Sequence, residues 1–353
     1  MIIHIFPKEK FTVPFINFIN NNFSLKEHIF LIFGEYNGFN EFEICNKENV
    51  KYFDNYCKIK NIINKGDLII FHSMFLPDNV LKKLFLRKKI LRKSVWIIWG
   101  GDLYKYREYN PKGIKQKLMN NIRKKVIKEF GYIGTLVKKD FQIAKEIFQV
   151  KGKPLKAIYI NPIKIETLEK VQINLNKNNV INIQIGNSAD TSNNHNEIID
   201  ILSKFKDKNI KVFIPLSYPK HENIEQVIKF GKEKLGNKFV PIVNFMSPEE
   251  YTKYLSTIDI AIFNNNRQQA LGNIFALAYL KCKIYIRNDT SMWQQFNEDG
   301  YKFDTIENLR NYDYEQFIFK DEKNIANNKE ISKNRFDEKY IAEVWENIFN
   351  IIN

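Results

Sequence analysis

VINIQIGNSADTSNNH, Val180 to His195, is the stretch whose reading decides the fold. Val180 to Ile185 is a short run rich in Ile and Val, the pattern of a buried strand. The run stops at Gly186, and the residues that follow are nearly all small, polar or acidic. Glu197 to Phe205 (EIIDILSKF) then sets Ile198, Ile199, Ile201, Leu202 and Phe205 on one face, which is amphipathic helix spacing. Strand, polar loop and helix make the unit of a parallel α/β sheet, whose ligands bind at the carboxyl edge of the strands. Ser and Asn side chains, loop N–H groups and a helix N-terminus suit an anion such as a diphosphate. The same residues also start helices and cap turns, so a capped turn is the alternative.

The pattern repeats on both sides of this stretch. Downstream, Lys211 to Pro215, Phe239 to Val243, Ile258 to Phe263 and Lys283 to Ile286 are predicted strands, with helices at Ile224 to Lys234, Pro248 to Thr257 and Gly272 to Leu280. Upstream, strands are predicted at Ile2 to Phe6, Ile29 to Phe33, Asp67 to Phe71, Ser94 to Trp99, Tyr132 to Val137 and Ala157 to Asn161. Helices at Pro14 to Asn21, Asn79 to Leu91, Lys112 to Phe130 and Phe141 to Phe148 lie between them. This alternation predicts an α/β chain of two Rossmann-like domains facing across a cleft. The domains are expected at residues 1–165 and 180–334, joined by a linker at Lys164 to Asn179 where the periodicity weakens. A C-terminal helix, 335–353, is expected to pack back toward the first domain.

Composition narrows the function. A chain of 353 residues suits two domains rather than one core. Cys45, Cys57 and Cys282 have no metal-ligand spacing, which argues for a reducing compartment and against structural zinc. MIIHIF is too short for a signal peptide, and no apolar run approaches a membrane span. A cytoplasmic protein is expected. Its net charge is +15, and the segment Lys82 to Lys128 alone holds 16 Lys and Arg against Asp102 and Glu108. Such a segment faces nucleic acid, an anionic bilayer or a phosphorylated substrate, or is simply a solvated helix face.

Neither GxGxxG nor GxxxxGK[ST] is present, and neither DxD nor a His/Cys cluster supports a metal site. What remains is a set of polar loops at strand ends. Asp102 follows an apolar strand and the pair Gly100-Gly101, where a carboxylate suits a general base for a hydroxyl; a helix cap is the alternative. His72 ends a strand too, as base, phosphate partner or structural ring. Arg267, in NNNRQQALG just before an apolar helix, suits stabilisation of a departing diphosphate. Gln268 and Gln269 add hydrogen bonds to a sugar or base. Trp293 either stacks on a ligand or closes the core.

Taken together these loops resemble one family. FHSMF (Phe71 to Phe75), WIIWGGDLY (Trp96 to Tyr104), IGNSADTSNNH (Ile185 to His195), PLSYP (Pro215 to Pro219), RQQALG (Arg267 to Gly272) and RNDTSMWQQ (Arg287 to Gln295) follow the order of blocks in glycosyltransferase family 56. That family is typified by transfer of Fuc4NAc from its dTDP-linked form to lipid II in enterobacterial common antigen synthesis. The resemblance implies a GT-B fold, a nucleotide-sugar donor held mainly in the C-terminal half, and an acceptor saccharide on polyprenyl diphosphate. It implies no cofactor and no metal, with the leaving group met by loop amides, a helix N-terminus and basic side chains. Gly186, Asn187, Ser188, Asp190, Ser192, Asn193, His195, Pro215, Tyr218, Gln268, Gln269 and Gly272 become the expected donor residues. Asp102, His72 and Arg267 become the catalytic set, and Trp99, Gly100, Gly101 and Tyr104 the acceptor side. The basic segment becomes a surface for an anionic membrane, placing the protein peripherally on the inner face of a bacterial cell membrane. No nucleic-acid motif accompanies that segment, so nucleic acid is not an expected partner. A basic nucleic-acid-binding protein and a catalytically idle scaffold are the rival readings, tested by a salt-dependent gel shift and by donor hydrolysis.

Overall fold

The structure is a computed structural model describing residues 1–9, 11–37, 43–107, 109–171, 180–219 and 223–352. The chain divides into two compact units, Met1–Ile160 with Glu338–Asn353, and Asn161–Asp337.

The first unit is built on a sheet of β1 (Ile2–Glu9), β2 (His28–Asn37), β3 (Val50–Tyr52), β4 (Leu68–His72), β5 (Ser94–Ile98), β6 (Tyr132–Thr135) and β7 (Lys153–Lys156). Their order is β3-β2-β1-β4-β5-β6-β7, with every pair parallel. All five residues of β4 and of β5 are buried, because helices cover both faces and alternation disappears. The second unit contains β8 (Ile181–Ile185), β9 (Ile210–Pro215), β10 (Phe239–Ile242), β11 (Ile260–Phe263), β12 (Lys283–Ile286) and β13 (Asp304–Thr305), in the order β10-β9-β8-β11-β12-β13. Both are doubly wound sheets. The strand order reverses between β1 and β4 in one and between β8 and β11 in the other, and the carboxyl ends of those pairs are where such sheets bind ligands.

The helix Glu338–Phe349 belongs to the first unit. Its Trp345 is fully buried, donates from Nε1 to the Ile158 carbonyl at 2.7 Å, and packs on Phe15. Burial of an aromatic ring this size anchors the C-terminal helix in the core.

Several boundaries differ from the sequence expectation. The first unit ends at Ile160, before the expected 165, and residues 335–337 fall in the second unit. Ile165–Lys170, expected as linker, is a helix, while the linker's residues 172–179 lie outside the described residues, as does Glu108 of the basic segment. The expected strand Ala157 to Asn161 does not form. The edge strand is Lys153–Lys156, whose polar residues point to solvent; the Ala157 N–H makes one last bond, to the Thr135 carbonyl at 3.0 Å, and Ala157 and Ile158 then fill the core beyond the strand. The helix expected at Pro14 to Asn21 runs Thr12–Asn22, and Asn79 to Leu91 splits into Asp78–Phe85 and Lys88–Arg92.

Candidate active site

At the end of β8 the Gly186 N–H still donates to the Ile262 carbonyl of β11, at 2.9 Å. The chain then turns with a Gly186 φ of +63°. A Cβ here would stand 2.5 Å from Asn193 Oδ1 and 3.0 Å from His195 Nε2, so only glycine fits. Asn193 is fully buried and pins the loop from within. Its Oδ1 accepts from Asn187 N and Asn265 Nδ2, both at 3.1 Å. Its Nδ2 donates to the Asp190 carbonyl at 2.9 Å and to Ser188 Oγ at 3.3 Å.

Asp190 Oδ1 accepts from Ser192 N at 2.9 Å, and its Oδ2 pairs with Arg267 Nη2 at 3.0 Å. Burial raises this carboxyl's pKa, but the bonds from Ser192 and the Arg267 guanidinium outweigh burial and hold it below the usual range. The ion pair joins the loop after β8 to the loop after β11. Two further links do the same. Gln269 bonds Ser188 Oγ at 3.1 Å and Ser192 Oγ at 2.6 Å, and Asn194 Nδ2 donates to the Asn264 carbonyl at 2.9 Å. The structure therefore brings Asn187, Ser188, Asp190, Ser192, Asn193, Arg267 and Gln269 into one hydrogen-bonded assembly, with Gly186 at the turn that opens it.

His195 is the first residue of the helix His195–Ser203, two residues earlier than the sequence periodicity suggests. It is buried, and no well-formed hydrogen bond reaches either ring nitrogen, although the Ser188 backbone lies near enough to favour the charged form. Burial lowers its pKa to about 4, so the imidazole is neutral at pH 7. Gln184 Oε1, Asn187 Oδ1, Asn264 Oδ1, Asn265 Oδ1 and Gln268 Oε1 are likewise buried without partners. With the two nitrogens of His195 these make seven of the twelve such side-chain atoms among the described residues. Buried polar groups in native proteins are almost always satisfied, so their concentration at one sheet edge marks a place where a ligand completes the bonding. Gln184, Asn264 and Asn265 are absent from the sequence-predicted set. Asn264 and Asn265 open the polar loop NNNRQQALG, and the visible signal for Gln184 is a Gln inside an otherwise Ile-rich strand.

The remaining donor candidates are more peripheral. Tyr218 reaches the loop through its carbonyl, which accepts from Ala189 N at 2.8 Å. Pro215 is the buried last residue of β9, paired with Ile242, and has no N–H to offer. Gly272 is the second residue of the helix Leu271–Tyr279, and its carbonyl accepts from Asn161 Nδ2 at 3.0 Å. Trp293 sits half-buried on the helix Ser291–Glu298, whose Met292 Sδ accepts from Gln269 N at 3.4 Å.

In the first unit, Asp102 is fully buried and accepts from Met74 N at 2.9 Å, Trp96 Nε1 at 2.8 Å and Trp99 N at 2.9 Å. Burial raises its pKa against those bonds. Three inward donors and no exposure make this carboxylate the clamp of the loop after β5, not a base in reach of a substrate hydroxyl. Gly100, with φ of +87°, starts the short turn Gly101–Tyr104, and Trp99 is half-buried beside it. Tyr104 donates from its hydroxyl to Asp140 Oδ1 at 2.7 Å. His72, at the end of β4, is fully buried between Tyr159 and His4, with its pKa pushed well down by burial. A phosphate has no access to that ring, whose surroundings the sequence did not reveal.

Among the described residues no helix is long and apolar enough to cross a membrane, and no three metal-binding side chains converge. Comparison with solved structures shows the two-domain fold of GT-B glycosyltransferases. A glycosyltransferase from Rickettsia africae is 16% identical, with TM-score 0.69, covering 99% of this chain and 98% of that one. Anabaena HepE in complex with UDP is 11% identical, with TM-score 0.70, covering 99% and 100%. The lipopolysaccharide outer core galactosyltransferase WaaB is 10% identical, with TM-score 0.63, covering 99% of each. At these identities the likeness shows the fold alone. The family profile described as "4-alpha-L-fucosyltransferase glycosyl transferase group 56" matches residues 26–350. The chain is a glycosyltransferase and belongs to glycosyltransferase group 56.

Proposed function

We propose that this enzyme transfers a deoxyamino sugar such as Fuc4NAc from a dTDP-linked donor to a saccharide on polyprenyl diphosphate, at the inner face of a bacterial membrane. The observation that carries the donor half is the cluster of unpartnered buried atoms at the ends of β8 and β11. Carbonyl oxygens of Asn and Gln and a neutral imidazole fit the hydroxyl and N–H groups of a nucleoside and a sugar. Arg267 and the N-terminus of the helix His195–Ser203 oppose the charge that develops on the leaving diphosphate. That division of labour requires no metal ion.

Features of the first unit support a lipid-linked acceptor. A cavity of about 390 Å³ is lined by Lys105, Tyr106, Lys115, Asn120 and Arg123, among others. Three cations against the single carboxylate of Asp78, which also lines the cavity, suit a diphosphate, and Asn120 Oδ1, buried without a partner, suits a sugar hydroxyl. The helix Ile114–Lys128 on this rim leaves Ile114 88% and Leu118 56% exposed, one turn apart among lysines. Apolar side chains in a basic helix face suit a prenyl chain at an anionic bilayer.

Nucleotide binding tests the donor half. A thermal-shift titration with dTDP, UDP, GDP and ADP, in EDTA and again with Mg²⁺, is expected to favour dTDP in both. A ligand at 100 times its Kd adds about 2.7 kcal/mol, or about 5–10 °C for a unit of this size. UDP, which accompanies HepE, is the main competitor. Preference for UDP would move the donor to another sugar nucleotide, and silence with all four would contradict the assignment of the loop.

A further inference from the structure

Three of the chain's five histidines form a hydrogen-bonded file inside the first unit. Tyr159 Oη bonds His72 Nδ1, His72 Nε2 lies 3.0 Å from His4 Nδ1, and His4 Nε2 lies 3.0 Å from His28 Nδ1. The rings stack, with centroids 5.3 Å apart at both steps and interplanar angles of 26° and 28°. His72 closes β4, His4 lies within β1 and His28 opens β2. The file therefore starts at the carboxyl edge, at the β1–β4 switch point, and ends at the amino edge. Tyr159 is its half-buried end, packed on Trp99 beside the Asp102-clamped loop, while the three imidazoles are buried.

Packing alone does not call for this arrangement. Phe6, Phe15, Phe30, Trp345 and Phe349 surround the rings, and phenyl groups would fill the same space without desolvating ring nitrogens. Burial keeps all three imidazoles neutral, and the Met1 ammonium depresses His28 further, to about 4. A neutral imidazole has one donor and one acceptor, so the file has two internally consistent polarities. Either every ring carries its proton on Nε2 and Tyr159 donates inward, or every ring carries it on Nδ1 and His72 donates outward. Passing one proton along the file interconverts them.

We propose that Tyr159, His72, His4 and His28 are a proton relay that takes up the proton of the acceptor hydroxyl during glycosyl transfer. The proposal rests on the transferase reading above and replaces Asp102 with Tyr159 as the group that touches the acceptor. As the acceptor oxygen bonds the anomeric carbon, the bond from that carbon to the diphosphate breaks and its electron pair leaves with the nucleotide. The hydroxyl proton passes to Tyr159 Oη, whose own proton moves to His72 Nδ1. The Nε2 proton of His72 moves to His4 Nδ1, that of His4 to His28 Nδ1, and that of His28 to water. After product release the shift reverses, Tyr159 gives its extra proton to water, and His28 Nε2 regains one. The net result is one proton delivered to solvent per transfer. Tyr159 is the catalytic residue, and the histidines act through it.

Two variants test this without emptying the core. Tyr159→Phe keeps the ring and removes Oη, while His4→Gln keeps a donor and an acceptor but passes no proton. In protein labelled with ¹⁵N-histidine, exchange of the His72 ring N–H with solvent is expected to slow at least tenfold in His4→Gln. For release of dTDP from dTDP-Fuc4NAc, both variants are expected to lose about 10²-fold in kcat. KM should stay within twofold, and the multi-proton solvent isotope effect of the parent should vanish. Unchanged His72 exchange in His4→Gln, or a Tyr159→Phe enzyme within threefold of parent kcat, would overturn the relay. Titration with dTDP separates the two readings. A parent that binds no dTDP refutes the transferase assignment, while the exchange experiment still decides the relay.

Discussion

Replacing Gly186 with alanine probes the donor loop at its tightest point. Two costs follow from the geometry. At φ of +63° an L-residue carries a strain of about 1–2 kcal/mol. The added Cβ also falls 2.5 Å from Asn193 Oδ1, which must move and so strain the bonds it accepts from Asn187 N and Asn265 Nδ2. Losing one or two such bonds adds about 1–2 kcal/mol. The total is about 2–4 kcal/mol, or about 5–15 °C in the melting of the second unit. Gly236→Ala is the matched control, in the same unit at φ of +56° with nothing within 4 Å of the added carbon. It bears the strain without the collision, and should cost about 1–2 kcal/mol and leave dTDP affinity unchanged. Gly186→Ala should also weaken dTDP binding at least tenfold, because Asn193 positions the whole loop. Equal melting temperatures for the two variants, or parent-like dTDP affinity in Gly186→Ala, would refute the reasoning.

Three other outcomes are expected. Asp102→Asn turns an amide N–H toward inward-pointing donors, so the first unit should lose about 2–4 kcal/mol while turnover per folded molecule stays within threefold. A hundredfold loss of turnover at parent stability would return Asp102 to the role of base. Arg267→Ala should cost about 2–4 kcal/mol in the transition state, read as kcat for dTDP release, and a loss below threefold would remove it from the leaving-group site. His28 and His195, both held at about 4 by burial, bind protons less readily folded than unfolded, where the value is 6.5. Stability should therefore be complete above pH 6.5 and fall as pH drops toward 4, by on the order of 3 kcal/mol per histidine. Urea midpoints at several pH values check this, and a flat profile from pH 7.5 to 5 would contradict it.

The fold was legible where burial leaves a simple mark. The apolar runs of β4, β5, β8 and β11 stand out because helices cover both faces of a parallel sheet. Edge strands escaped. Val50–Tyr52 is short and largely exposed, and Lys153–Lys156 alternates too little to show a face. The helices between Ser291 and Lys333 are similarly polar, held by caps such as Thr305 and Asp313 rather than by a strong apolar stripe. At the site, the loop chemistry of Gly186 to His195 was readable because Gly, Ser, Asn and Asp each have a local reason to be there. The orientation of Asp102 was not, since the same Gly-Gly-Asp pattern serves an exposed base and a buried clamp. His4, His28 and His72 lie far apart in sequence, and only the order of β2, β1 and β4 makes them neighbours.

The most direct test of the central claim is turnover itself. Purified protein is mixed with dTDP-Fuc4NAc and a saccharide on polyprenyl diphosphate, in EDTA, and release of dTDP is followed with formation of the extended lipid. The account predicts dTDP release coupled one-to-one to glycosylated lipid, with no need for added metal. Binding of dTDP without any release, or release only with a different nucleotide sugar or acceptor, would contradict it.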